Sequence, residues 1–244
     1  VTYTLPEGPI DVVGGGRMGR ALAGALREAG LPIRGPLGRG AASTGASVVL
    51  LCVPDREIAA AAGSLDTGAL VGHVSASADL ALLAPHERFM LHPLLSVVGA
   101  GASFAGATAA IDGSSPRARD VSTALADRLG MRARTIAPEQ RALYHAAASA
   151  ASNFLVTVEG MAEELALRAG LDHAALVPLV RATMENWCRL GARAALTGPI
   201  ARGDEATADR QRAAVAAAAP SQLPLWDALA IATRALAVSV AARP

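Results

Sequence analysis

Residues 141–154 read RALYHAAASAASNF. His145, Ser149 and Asn153 stand at i, i+4 and i+8, which puts them on one face of a helix. Alanines separate them and leave room for a ligand. Such a set suits the reduction of a carbonyl, in which one group protonates the developing alkoxide and its polar neighbours orient the oxygen. All 22 basic residues are arginine, so lysine chemistry is excluded. Imidazole titrates near neutrality, and His145 is therefore the expected proton donor, with His73, His92 and Tyr144 in reserve. The competing reading is a packing face where small residues let two helices approach closely. His73 (in LVGHV) and His92 (in FMLHP) fall at expected strand ends, where either can face a substrate. In LTGPIARGD, Thr197, Arg202 and Asp204 form a second polar group. Arg202 there can hold a carboxylate, while Asp204 either orients it or caps the next helix.

The elements that must position these groups begin with IDVVGGGRMGRALAGALREAG, residues 10–30. A short β-branched run leads into Gly14, Gly16 and Gly19, a G-x-G-x-x-G turn, and then into a helix stopped by Gly30. The first glycine permits the tight turn, the second lets a pyrophosphate approach the backbone, and the third lets helix and strand pack closely. The helix start, with Arg17 and Met18, offers free N–H groups to the phosphates. An NAD site would place an acid after the second strand, yet none occurs between Glu28 and Asp55. Arg34, Arg39 and Ser43 occupy that region and suit the 2′-phosphate of NADP, the alternative being solvated loop arginines. SVVLLCV, residues 47–53, reads as a central parallel strand buried on both faces. Its carboxyl end brings Val53 and Pro54 to the cofactor, Ser75 does the same after the next strand, and Asp55 can cap the following helix.

Strands alternate with helices as far as residue 136, with expected strands at 31–34, 70–74, 89–91, 108–111 and 132–136 and a helix over 116–129. Composition then turns helical. Pro138 opens one long helix over 138–169 with a weak point at Gly160. Further helices start at Asp172 and Asp204, and the last runs over 223–241. The expected fold is α/β, an N-terminal Rossmann dinucleotide-binding domain over 1–136 followed by an all-helical substrate and dimerisation domain over 137–244. A net charge of +1 gives no electrostatic case for nucleic acid or an anionic membrane. Cys52 and Cys188 suggest neither a disulfide nor a metal cluster. The first residues lack the pattern of a signal peptide, and the apolar stretches are broken by charge, so a cytoplasmic protein is expected.

GGGRMG, VPDREI, GHVS, LHPL, RALYHAAASAASN and ALTGPIARGD, in this order, resemble a bacterial family with a Rossmann-like domain and a C-terminal domain of unknown function. That family is similar to ketopantoate reductase, pyrroline-5-carboxylate reductase and 6-phosphogluconate dehydrogenase. The resemblance implies an NADP-dependent oxidoreductase, commonly a homodimer, with its site between the two domains. Ketopantoate reductases carry a lysine and two asparagines where His145, Ser149 and Asn153 stand, and only the last is identical. Where relatives have GHxSG, this chain has Ala76. The expected activity is NADPH-dependent reduction of a small carboxylated carbonyl compound, a ketopantoate-like 2-oxo acid first. A cyclic imine reductase and a non-catalytic NADP-binding sensor are the alternatives.

Overall fold

Short runs of branched apolar residues build one seven-stranded sheet in the computed structural model, which describes residues 3–38, 40 and 43–241. The first elements are β1 (Ile10–Val13), α1 (Arg17–Glu28), β2 (Ile33–Leu37), β3 (Val48–Leu51), α2 (Ile58–Gly63) and β4 (Leu70–His73). They are followed by β5 (Glu87–Pro93), β6 (Thr108–Gly113), α3 (Pro116–Arg128) and β7 (Arg132–Thr135). The strand order is β2-β1-β3-β4-β5-β6-β7. Neighbours from β2 to β5 are parallel, β6 runs antiparallel to β5, and β7 is parallel to β6. This is the Rossmann-type α/β fold the turn after β1 implies. β1, β3 and β4 are buried at every position, as parallel strands covered on both faces must be.

One sequence expectation shifts at the sheet edge. The second strand does not stop at Arg34 but continues through Gly35-Pro36 to Leu37. An edge strand tolerates a proline because its missing N–H is not needed for the ladder.

On one face Leu22 and Leu26 of α1 and Val121 and Leu125 of α3 cluster with Ile10, Leu50, Phe89 and Leu91. Ser115 caps α3 by accepting the Ala118 N–H at 3.0 Å. On the other face Ile58 and Ala62 of α2 cover Val49, Leu51 and Val71. The register aligns Val13, Leu51, His73, Met90 and Asp112 in one row across this second face. The row thus carries polar His73 on β4 and Asp112 on β6, with apolar Met90 between them.

The chain divides into two compact units at Ser152/Asn153, later than the compositional change at 136 implies. The added segment is a 3-10 turn, Pro138–Gln140, and α4 (Arg141–Ser149). Side-chain bonds tie α4 to the sheet: Arg141 pairs with Asp112, and Tyr144 bonds His92. The expected helix over 138–169 is not continuous. Residues Ala150–Phe154 form a π-helix, while Gly160 lies unremarkably within α5 (Leu155–Arg168). The Thr157 hydroxyl donates to the Asn153 carbonyl at 3.0 Å, satisfying a carbonyl next to the irregular turn.

The second unit continues with α6 (His173–Ala195), α7 (Glu205–Ala218) and α8 (Leu223–Ala241). Asp172 caps α6 through the Ala175 N–H, and Gly191, at φ +76°, interrupts its helical path. Arg212–Asp227 and Arg234–Glu205 ion pairs join α7 to α8, and Gln222 donates to Glu164 of α5. No residue of α6 is buried. Among the described residues no helix is long and apolar enough to cross a membrane.

The tightest test of sheet packing is at Gly72. A Cβ there would lie 2.3 Å from the Phe89 ring, which is itself fully buried and has nowhere to move. Gly72→Ala is expected to cost about 1–3 kcal/mol of stability. Urea unfolding should show a lower midpoint at an unchanged m-value.

Candidate active site

The turn after β1 has the shape of a phosphate cradle. Gly14 has φ +113°, and a Cβ on it would strike the Cys52 carbonyl at 2.3 Å. A Cβ on Gly19 would come 1.8 Å from the Gly14 carbonyl, so helix and strand meet there with no room for a side chain. Gly15 and Gly16, by contrast, face open space. Gly16 caps α1 without a side-chain bond, leaving the first N–H groups of that helix for a ligand. A cavity of about 530 Å³ opens here, lined by Gly14, Gly16, Gly38, Val53, Pro54 and Ala61 among others. It lies where the strand order reverses between β1 and β3, the place an open parallel sheet offers a nucleotide. The residues present thus fit a dinucleotide. Burial pushes the Cys52 thiol, also on this cavity, up to about 12, so it stays protonated and unreactive.

Farther along the same edge, β4, β5 and α4 collect a group of neutral proton carriers. His73 is fully buried on β4. Burial lowers it to about 4, and Arg141 adds to the effect, against the opposing pull of Asp55 and Asp79. Its Nδ1 lies 3.3 Å from the Ser75 N–H. A backbone N–H can only donate, so Nδ1 is the acceptor and the ring proton sits on Nε2. That Nε2–H is buried and has no partner among the described residues. His92 on β5 is also lowered to about 4, by burial first and then by His145 and His73. Its Nδ1 lies 2.8 Å from the Tyr144 hydroxyl, with the two rings edge to face. Burial raises Tyr144 to about 12, so its proton is present at neutral pH.

His145 is exposed on α4, with its ring centroid 6.4 Å from that of His92, and it makes no hydrogen bond among the described residues. Ser149 is half-buried at the end of α4. Asn153 falls within the π-helix, whose wider turn breaks the α-helical spacing that would align it with His145.

Other expected site residues take different positions. Arg34 is the second residue of β2, paired in register with Asp11, and binds that fully buried carboxylate through Nε at 2.5 Å and Nη2 at 2.8 Å. Its guanidinium is thus committed about three residues, or roughly 10 Å, short of the end of β2. Arg39 lies outside the described residues. Ser43 is buried, and its hydroxyl has no partner among the described residues. Arg17 is exposed at the start of α1, whereas Met18 packs against the core. Asp55 does not cap the helix after β3. Because the ends of β3 and β4 are adjacent, it accepts hydrogen bonds from Ser75 and Ser77, each at 2.8 Å. In the second unit Thr197 and Arg202 are exposed before α7, and Asp204 caps that helix through the Thr207 N–H.

Sequence reasoning missed two pairings, Tyr144 with His92 and Arg141 with Asp112. Two signals were available: Asp112 interrupts the apolar strand TAAIDG, and Arg141 and Tyr144, three apart, share a helix face.

Residues 107–233 match the model of a domain of unknown function, DUF2520. No curated protein matches the chain. A Bacteroides fragilis protein described as a candidate NADP oxidoreductase superposes with a TM-score of 0.80 at 21% identity, over 93% of this chain and 97% of its own. A Thermotoga maritima protein gives a TM-score of 0.76 at 22% identity, over 94% and 98% of the two chains. The reductive aminase of Aspergillus terreus, solved with NADPH and ethyl levulinate, gives 0.68 at 16% identity, over 93% of each chain. At such identities the likeness is one of fold.

The Asp11–Arg34 pair makes a testable distinction between a structural arginine and a cofactor clamp. Arg34→Met leaves the buried Asp11 carboxylate without its partner, so the thermal midpoint should fall. The ratio of NADPH to NADH affinity, measured by calorimetry, should stay as in the parent protein.

Proposed function

The chain belongs to the family of the domain of unknown function DUF2520, and on that footing we propose that it is an NADPH-dependent oxidoreductase. Its substrate is a small carboxylated carbonyl compound, a ketopantoate-like 2-oxo acid before others. One observation carries this reading: the glycine cradle at β1 and the neutral proton carriers His73, His92 and Tyr144 lie along the same carboxyl edge of the parallel strands β1 to β5. A bound reduced nicotinamide supplies a hydride. The chain's own residues supply the rest. The open N-terminus of α1 binds the pyrophosphate, and Gly16 leaves the space for it. Val53 and Pro54 shape the wall, and Ser75, held by Asp55, lies beside the next strand end. With Arg34 bound to Asp11, Arg39 is the residue assigned to a 2′-phosphate. Arg202, exposed and without an ion pair among the described residues, is assigned to the substrate carboxylate. His145, Ser149 and Asn153 are assigned to the orientation of the carbonyl oxygen.

A cyclic imine is the second substrate class. It is favoured by the neutral state of His73 and His92, since an imine that arrives protonated needs no strong acid. A panel of 2-oxo acids and cyclic imines, followed by loss of NADPH absorbance, decides between them. Turnover of a branched 2-oxo acid is the expected result. Turnover of imines alone selects the second class, and tight NADPH binding with no turnover anywhere selects a sensor.

We also propose a homodimer built through the helical unit. α6 has 23 residues and buries none, and its Leu179 and Trp187 are 65% and 48% exposed. Val156 and Ile231 add 69% and 68% exposed positions on α5 and α8. So much apolar surface is expected to find a partner, and a second copy covers it by two-fold symmetry. Light scattering at micromolar concentration should give twice the chain mass, and a value near 24.6 kDa overturns the dimer.

A further inference from the structure

We propose that Tyr144 is the proton donor to the substrate oxygen and that His92 is the positioning residue whose Nδ1–H holds its oxygen. The inference rests on the reductase reading above and names the acid within it. Its basis is the 2.8 Å contact between the Tyr144 hydroxyl and His92 Nδ1. A hydroxyl and an imidazole nitrogen can share a hydrogen bond in either direction, unlike the fixed bond of His73 Nδ1 to the Ser75 N–H. When His92 Nδ1 donates, the Tyr144 oxygen is the acceptor and its own proton is free for a ligand. Tyr144 is half-buried, so its hydroxyl is both oriented and reachable. His145, the acid favoured by spacing, has no bond to orient it among the described residues. General acid catalysis needs a positioned donor, and the bond to His92 positions Tyr144.

The step balances. Hydride from the reduced nicotinamide forms the new C–H bond while the carbonyl π bond breaks toward oxygen. That oxygen takes the Tyr144 proton and becomes the alcohol. The phenolate, held by the His92 Nδ1–H, then takes a proton from solvent water, so His92 keeps its tautomer and one solvent proton is consumed per turnover. Burial holds Tyr144 near 12, which keeps it protonated yet more acidic than an alcohol. Burial first keeps His92 neutral, and among the groups facing it, Tyr144 and His145 from α4, His73 from β4 and Asp55 from the turn after β3, the two histidines act the same way. Of these only Asp55 favours the charged ring, and burial outweighs it.

Four measurements test the assignment. In nitrogen-15 spectra of the labelled protein, with no substrate, His73 should show the Nε2–H tautomer and His92 the Nδ1–H tautomer. A His92 ring protonated at Nε2 instead means that Tyr144 spends its proton on His92, and it overturns the role. With a substrate from the panel, Tyr144→Phe should lower kcat by roughly 10²–10⁴-fold with NADPH affinity little changed. His92→Asn, which keeps an N–H donor near the Nδ1 position, should retain about tenfold more activity than His92→Leu. The rate should be level between the fall as His92 protonates near 4 and the fall as Tyr144 ionises near 12. Tyr144→Phe at the parental rate, with activity lost in His145→Ala, assigns the acid to His145 and overturns the proposal. No turnover by the parent protein with any compound overturns the reductase reading itself, whereas turnover kept by Tyr144→Phe overturns this role alone.

Discussion

The Arg141–Asp112 ion pair holds the first turn of α4 against β6, and the placement of the proton carriers follows from it. Asp112 would otherwise be a carboxylate stranded on a sheet face, and the two side chains are only 11% and 21% exposed. A pair so far removed from water is costly to break, because either partner alone would be left as a poorly solvated charge. Helical geometry then does the rest. Three residues after Arg141 comes Tyr144, over His92 on the neighbouring strand, and one further comes His145. A helix docked by polar contacts gives Asp112 and His92 partners on a part of the sheet that also carries the buried Met90.

Parallel strands bring their carboxyl ends to one edge, and this lets two chemical tasks sit side by side without sharing residues. At β1 and β3 the backbone does the work, through glycines that admit no side chain where helix and strand meet and leave room where a phosphate would lie. At β4 and β5 the side chains do it, and burial sets their state. His73 and His92 lose their charge because little water reaches them and because several nearby groups are themselves basic. Tyr144 keeps its proton for the same reason of desolvation, acting on an acid instead of a base.

The helical unit is held differently. Its helices are pinned to one another by ion pairs and hydrogen bonds near the surface, Arg212–Asp227, Arg234–Glu205 and Gln222–Glu164, while many of its large apolar side chains remain outside. Exposed pairs of this kind contribute little individually to stability. An alanine-rich sequence can form long helices on propensity alone, yet its small side chains fill a core poorly.

The sequence by itself determined the α/β architecture, because continuous apolar runs and a G-x-G-x-x-G turn are local signals that need no distant partner. It also marked the caps Asp172 and Asp204, since each cap bonds a residue only three positions away, though not Asp55, which a neighbouring strand end claims instead. Strand ends were less legible: β2 runs through a proline that only its place at the sheet edge permits. What tertiary structure decided was partnership between residues far apart in the chain. Spacing placed His145, Ser149 and Asn153 on one face of an ideal helix, but a π-helix at Ala150–Phe154 interrupts that ideal. Spacing alone offers Arg34 to a phosphate, and only the fold brings it onto Asp11, 23 residues earlier. Tyr144 and His92 are 52 residues apart and carry no mutual pattern in the sequence. Only the parallel register of β3, β4 and β5, and the ion pair that docks α4 beside them, bring those two rings within hydrogen-bonding distance.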